Sequence, residues 1–558
     1  MKVKTYVLVA LLPVVLAACT SAPAPGTGAA PAPANGAFRS AGAITDADLK
    51  YRLYAIAHDS MAGRATGTPG HLKVTEYIAS EMRRLGLQPG GENTTYFQSV
   101  PMMKRSFTAS TLTVDGRPIR LWDDFVPIYP GRTMRSIDNA QVVFGGIAQD
   151  TMKMLTREQA AGKIVVLLNR SPNPAARGTT PGSRLEGAVA VLTVNSSNGM
   201  NLFRDAYRDP DPVYTGAKLD GDRGIPMVIT PELLPVLFGR SVDSTTTIGT
   251  LGKAVRGSLS MAETPVTARN VVAILPGADP ALRNTYVAIG AHSDHDPVRA
   301  TALDHDSLRA YNAEVRKKYL QLGRNPNAAE RADIKVNVDS LRALRPARRD
   351  SIFNGADDDG SGTVAVIEIA EAMATAPEKP KRSVLFVWHA AEELGLIGAD
   401  HFTTHPTVPR DSIVAQLNID MIGRGGVGEE PEGGANYLQL IGWRRLSNQL
   451  GDVIEAVNNR RAMPFKFDLK YDAAGHPEQF YCRSDHYMYA RYGIPVAFFS
   501  TGGHGDYHQV TDEPQYIDYT KLLNVAQLIH DIGRAVADLP GRPVVDGPKP
   551  DPQGQCRQ

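Results

Sequence analysis

Five short segments of this chain each close an apolar run on a side chain able to bind a metal. They read VAIGAHSDH, NGADDDGSG, VLFVWHAAEELG, VAQLNIDMIG and VAFFSTGGHGDYH. In open α/β sheets catalytic groups gather at the carboxyl ends of strands, so endings of this kind point to one site assembled from distant sequence. His292, Asp358, Glu393, Asp420 and His508 form a nitrogen and oxygen donor set that suits zinc, with cobalt or manganese as alternatives. Five ligands are too many for one tetrahedral zinc with an open position, but they suit two ions that share a carboxylate. Asp358 is the candidate bridge, with Glu393 and His508 completing one ion and His292 and Asp420 the other. A single histidine or aspartate after a strand is common on solvated loops, so the series carries the reading.

Taken in order, the segments resemble the co-catalytic di-zinc aminopeptidases. That family includes bacterial leucyl aminopeptidases and, more distantly, glutamate carboxypeptidase and glutaminyl cyclase. Its pattern of His-x-Asp, Asp-x-x-Ser-Gly, Glu-Glu, Asp and Tyr-His is met here by His292-Ser293-Asp294, Asp358-Asp359-Gly360-Ser361-Gly362, Glu392-Glu393, Asp420 and Tyr507-His508. The resemblance covers residues 266 to 535 well and 46 to 110 loosely. It implies two zinc ions bridged by Asp358, Glu392 as general base, Tyr507 as a donor to the developing oxyanion, and Asp294 hydrogen-bonded to the His292 imidazole. Successive residues leaving a strand point in different directions, so Glu393 can hold a metal while Glu392 faces water. Asp357 and Asp359 flank the proposed bridge, and a register shift by one residue stays open. His295, His389, His486 and His504 are expected to support or pack around the ligands, and Ser484-Asp485-His486 to matter for substrate.

The implied activity is hydrolysis of peptide bonds by an aminopeptidase acting on peptides or proteins. Three alternatives stand beside it. A carboxypeptidase needs a cation to grip the substrate carboxylate, and Arg424 and Arg483 lie near the motifs. A glutaminyl cyclase works with one zinc, whereas both His292 and Asp420 are kept here for a second. A receptor-like binding protein is expected to have lost ligands or the base, and this chain keeps them all.

Lys2 and Lys4 precede an apolar run from Tyr6 to Ala18, too short to span a bilayer as a helix. The run ends in Leu16-Ala17-Ala18-Cys19, which resembles a bacterial lipoprotein signal. The expectation is a signal peptide over 1–18 and a lipid anchor at Cys19, with the Pro/Ala-rich tether 19–45 leading to a protein exported to the cell envelope, in a Gram-negative host its outer membrane. The remaining cysteines, Cys482 and Cys556, are free to pair in an exported chain. A formal net charge of +1 offers no basic excess to neutralise phosphates, which argues against nucleic acid as a partner.

These residues need elements to hold them. The chain of 558 residues reads as α/β, a mixed central sheet flanked by helices with an inserted mostly-β domain. Residues 46–112 read as a helical part of the peptidase domain, with Leu72, Ile78, Met82 and Leu85 on one face and Gly86 as the stop. From 113 to 265 come short runs such as QVVFGGI, KIVVLLN, AVAVLTVN and PMVIT between Gly, Pro and Asn turns, a texture that resembles a protease-associated domain. The zinc peptidase domain is expected over 266–540. It includes a helical insertion over 297–352, where Leu308, Tyr311, Val315, Tyr319 and Leu322 follow helical spacing. Because the insertion leaves and rejoins the chain between two ligands, it is expected to form a lid or wall of the cleft, or else a helical pair packed outside. A final helix spans TKLLNVAQLIHDIGRAVADL, and 541–558 reads as a loose tail.

Overall fold

The computed structural model describes residues 40, 42–128, 134–150, 153–170, 185–215 and 224–558. The expected signal peptide, Cys19 and most of the tether lie outside them. The first helix, α1 (Asp46–Ile56), starts where the Thr45 side chain accepts from Asp48 N. The second, α2 (Pro69–Arg84), starts at Thr68, which accepts from His71 N, with Pro at the first position, where its missing N–H costs nothing. The helical reading of 46–112 fails after Gly86. Residues Phe97–Ser110 form strand β1, whose Gln98, Val100 and Met102 point inward on alternate positions. That period of two, together with a long antiparallel partner, decides strand over helix.

The expected mostly-β insert contains more order of a different kind. Strands β2 (Met134–Ile147), β3 (Ile164–Leu168), β4 (Ala190–Val194) and β5 (Ile225–Ile229) lie parallel in that order. Parallel neighbours need crossover connections, and α3 (Ser197–Arg208) supplies the one between β4 and β5. Strands still outnumber helices among the described residues of this region, but they pair in parallel order. The expected boundary at 265/266 falls inside one strand, β6 (Leu251–Leu275), which pairs with β1 and β2 in its first part and enters the central sheet with its last.

The central sheet adds β7 (Tyr286–His292), β8 (Ser383–His389), β9 (Ile413–Ile419), β10 (Tyr437–Ile441), β11 (Lys466–Asp468) and β12 (Val496–Ser500). Their order is β6-β8-β7-β9-β12-β10-β11, and the inner four, β8-β7-β9-β12, are parallel. These four run nearly unbroken in buried residues, as parallel strands covered on both faces must. The pleat divides them between two cores. Val287, Ile289, Phe386 and Trp388 pack with α1, α5 (Gly362–Thr375) and α7 (Tyr519–Ala537), while Ala288, Leu385 and Val387 face Phe402, Tyr489 and Ile494. Between β10 and β11 lies α6 (Asn448–Asn459), also in the first core. The buried Arg52 of α1 pairs with Glu81 of α2 and with Glu368 and Glu371 of α5, tying the helical layer together.

The insertion between His292 and Asp358 contains α4 (His305–Leu322) and two short helices. Its apolar stripe is only half-buried. The residues α4 buries are polar, His305, Asp306 and Asn312: His305 Nε2 lies 2.9 Å from Glu513 Oε2, Arg348 of the insertion pairs with Glu513, and Arg345 pairs with Asp306 inside the insertion. The C-terminal segment is not loose. Cys556 is disulfide-bonded to Cys482 with Cα atoms 5.8 Å apart, and the Gln558 side chain bonds Tyr471 O and Tyr481 N.

Candidate metal centre

All five expected ligands meet at the carboxyl end of the parallel strands. His292 ends β7, Glu393 follows β8, Asp420 follows β9, and His508 lies on the loop after β12. Asp358 sits in the irregular turn Ala356–Ser361 that leads into α5. Of three consecutive aspartates only Asp358 faces both imidazoles. Its Oδ1 is 3.2 Å from His292 Nε2, and its Oδ2 is 3.3 Å from His508 Nε2. Asp420 Oδ1 lies 3.7 Å from His292 Nε2, and Glu393 Oε2 lies 3.3 Å from His508 Nε2. The result is two clusters that share one carboxylate.

The neighbouring aspartates do other work. Asp359 accepts main-chain N–H groups from His292, Gly362 and Met421, pinning three ligand-bearing segments together. A Cβ on Gly362 would lie 2.3 Å from Asp359 Oδ1 and 2.5 Å from Ile419 O, so only glycine fits there. Gly355, at φ +53°, is equally constrained, since a Cβ would meet Asp358 O at 2.3 Å and the His295 ring at 2.4 Å. Asp357 Oδ1 accepts from Gly423 N, and Asp512 accepts from the N–H groups of Asp357 and Asp358. Ala391, Met421 and His508 all hold positive φ without being glycine, at 55°, 62° and 53°. Such backbone persists where its surroundings enforce it, and here Ala391 adjoins Glu392, Met421 adjoins Asp420, and His508 is itself a proposed ligand.

Do these residues fit metal ions? His292 Nδ1 faces the Asp294 carbonyl at 3.1 Å and His508 Nδ1 faces Asp296 Oδ2 at 2.8 Å. If each Nδ1 donates, each Nε2 is left with a lone pair aimed at two carboxylates, an arrangement a cation between them resolves. Asp358 Oδ2 is buried without a hydrogen-bond donor, and the donor set of two imidazoles and three carboxylates suits zinc. The residues fit two ions.

Residues 270–533 match the description of Peptidase family M28. This segment is an M28 peptidase domain. Among curated relatives, leupeptin-inactivating enzyme 1 of Streptomyces exfoliatus is 43% identical over 77 residues, 13% of this chain and 18% of its own. Leucine aminopeptidase 1 of Aspergillus fumigatus is 28% identical over 186 residues, 31% of this chain and 44% of its own. The match thus spans less than half the length of these relatives. Among solved structures, an aminopeptidase from Aneurinibacillus sp. strain AM-1 aligns over 91% of this chain and 97% of its own, at 18% identity and a TM-score of 0.48.

Within the M28 domain, one supporting contact differs from expectation. The Asp294 carboxylate stands 3.8 Å from His292 Nδ1, beyond a hydrogen bond, and it is the main-chain carbonyl that lies close enough. The carboxylate instead accepts from Glu392 N at 3.2 Å and from Thr66 Oγ1 at 2.9 Å. Thr66 Oγ1 also accepts from Ala391 N, so a residue far upstream orients the Glu392-Glu393 turn. Arg64, buried, donates to Gly355 O and Asp358 O. Asp296 was within reach of sequence reasoning, because His295-Asp296 extends the His-x-Asp motif with two more polar residues. Thr66 and Arg64 gave no such signal.

His295 does more than pack. Its Nδ1 lies 2.7 Å from Glu393 Oε1, leaving Oε2 for the ion, and its ring lies 5.4 Å from that of His508. His504 contacts Asp357 at 3.4 Å, while His389 meets the Tyr489 hydroxyl on the far side of β8. Ser484 donates to Asp420 Oδ2 at 2.8 Å and lines the cleft; Asp485 and His486 are buried beneath it and do not.

The cleft above the centre encloses about 670 Å³. Glu392, Glu393, Tyr507, Arg483 and, from the insertion, Arg316, Tyr319 and Asn325 line it. Burial pushes the Glu392 carboxyl well above its ordinary value, and Glu393, Asp420 and Asp485 add to this against the opposing charge of His292. Burial also raises the Tyr507 phenol, keeping it a neutral donor. Arg424 is engaged inside the protein by Glu429 and Asp506, and Arg483 by Glu478.

Proposed function

We propose that this protein is a zinc aminopeptidase that works with two ions and removes the N-terminal residue of peptides. The observation that carries it is the carboxylate of Asp358, whose two oxygens face two separate imidazoles, each with its other nitrogen already beside an acceptor. His292, Asp420 and Asp358 would hold one ion; His508, Glu393 and Asp358 the other. Bound there, the ions would supply Lewis-acid chemistry, polarising the scissile carbonyl and lowering the pKa of bound water. Glu392 takes a proton from the attacking water and returns it to the leaving amine nitrogen, a task open to a buried carboxyl that burial holds above its ordinary value. Tyr507, on the cleft wall, donates to the carbonyl oxygen as negative charge gathers there.

Amino- rather than carboxypeptidase action is supported by the similarity to leucine aminopeptidase 1 and by Arg424, whose charge is already matched by Glu429 and Asp506. The test is a comparison of amino-acid amides with N-blocked and C-blocked dipeptides. Equal cleavage of N-blocked substrates would refute the aminopeptidase reading. Metal analysis by mass should find two ions per chain. Glu392→Gln should retain both and lose about 10²–10⁴ in turnover. Near-normal turnover in that variant would remove Glu392 from the mechanism.

The same reading places the enzyme outside the cytoplasm, anchored by lipid at Cys19, on the strength of Leu16-Ala17-Ala18-Cys19 after a short apolar run. Incorporation of labelled fatty acid that survives in Cys19→Ser would refute the anchor. Residues 113–265 take the part of a protease-associated domain that shapes access to the cleft.

A further inference from the structure

The inserted helix α4 meets the core along the cleft through a ring of contacts. Arg316 Nη2 donates to Glu430 Oε1 at 2.8 Å, and the Tyr471 hydroxyl donates to Glu430 Oε2 at 3.1 Å. The Arg316 guanidinium lies 4.2 Å from the centre of the Tyr319 ring. Arg316, Tyr319, Glu430 and Tyr471 all line the cleft, and Glu430 is only 3% exposed. Behind the ring, Arg309 stacks on Tyr516 at 3.6 Å and His305 pairs with Glu513, so α4 is held as a fixed wall.

An aminopeptidase needs a cleft that is blind on the amino side; a cleft open at both ends lets the chain pass and exposes internal bonds. These residues form part of the cleft wall. Their charges are matched, since Glu430 is paired with Arg316 and Tyr471, so this stretch of wall offers a substrate an aromatic surface with no unpaired ion. Met421, Phe480 and Phe498 supply apolar flanks. Resting on the aminopeptidase reading, we propose that α4 forms the blind end of the cleft and that Tyr319 is a specificity-determining residue, limiting the size of the apolar N-terminal side chain accepted.

The experiment measures kcat/KM for the p-nitroanilides of alanine, leucine and phenylalanine. Tyr319→Ala should raise the phenylalanine-to-alanine ratio by about tenfold or more, the order expected when a pocket gains a few methylenes of room. Tyr319→Trp should lower that ratio. Tyr319→Phe, which keeps the ring and loses the hydroxyl, should leave the ratio near that of the parent. Unfolding midpoints of the variants show that the wall is intact. A ratio unmoved by both Ala and Trp, or moved the same way by both, would overturn the role of Tyr319. Failure of the aminopeptidase reading looks different, because the parent enzyme would then cleave N-blocked anilides as fast as free ones.

Discussion

Removing the acids behind the two imidazoles should have opposite consequences from those the His-x-Asp motif suggests. Asp296 Oδ2 lies 2.8 Å from His508 Nδ1, and no other contact would fix that nitrogen's proton. In Asp294→Ala, by contrast, the main-chain carbonyl beside His292 Nδ1 survives, and what is lost is the acceptor for Glu392 N and Thr66 Oγ1. A hydrogen bond to a charged group contributes about 1.5–3 kcal/mol, which is about 10- to 150-fold in an equilibrium constant. Side-chain exposures of 31% for His508 and 28% for Asp296 place this pair at the lower end. Asp296→Asn should therefore weaken binding at the position completed by His508 by about tenfold, within the range known for partners of metal-bound histidines. Asp294→Ala should keep metal affinity within a few-fold and instead lower kcat, because Glu392 loses its anchor. Both are checked by counting bound zinc per chain across a series of zinc buffers, alongside turnover of leucine p-nitroanilide. If Asp294→Ala lost as much zinc as Asp296→Asn, or if Asp296→Asn lost none, the assignment of these two acids would be wrong.

Two further outcomes follow from groups away from the ions. Burial lowers the Lys521 ammonium to about 8 from 10.5, against the attraction of Asp518 and Glu429, and its Nζ donates to Gly425 O at 2.7 Å. Between those values the unfolded chain binds more protons than the folded one, so stability should rise with pH from about 8 to 10.5, and Lys521→Met should flatten that rise in denaturant titrations. The Cys482–Cys556 disulfide closes a separation of 74 residues, for which chain entropy predicts a contribution of about 4 kcal/mol. Cys556→Ser should lower the unfolding midpoint accordingly and, since Cys482 lines the cleft, raise KM more than it lowers kcat.

Much of the centre was legible because the information is local. A histidine or carboxylate at the end of an apolar run declares both its chemistry and its position at a strand end, and the buried runs of β7, β8, β9 and β12 and the periodicity of α7 are properties of consecutive residues. The long strand β1 was not legible as such, since its period of two is broken by Pro101 and Met103 and becomes a strand by pairing with β6. Parallel order in β2–β5 was hidden for the same reason: a short apolar run does not state its neighbour.

What the sequence determined by itself is the identity and order of the histidines and carboxylates that could hold metal. What only the tertiary structure decided is who supports them. It put a carbonyl rather than a carboxylate behind His292, gave His508 the neighbour of a different motif, and brought Thr66 to the Glu392 turn. It also made a charged insertion the wall of the cleft and tied down a tail that composition alone described as loose. The physical reason is that a side chain's donor chemistry travels with its residue. The direction in which it points depends on partners hundreds of residues away, and these are chosen by packing.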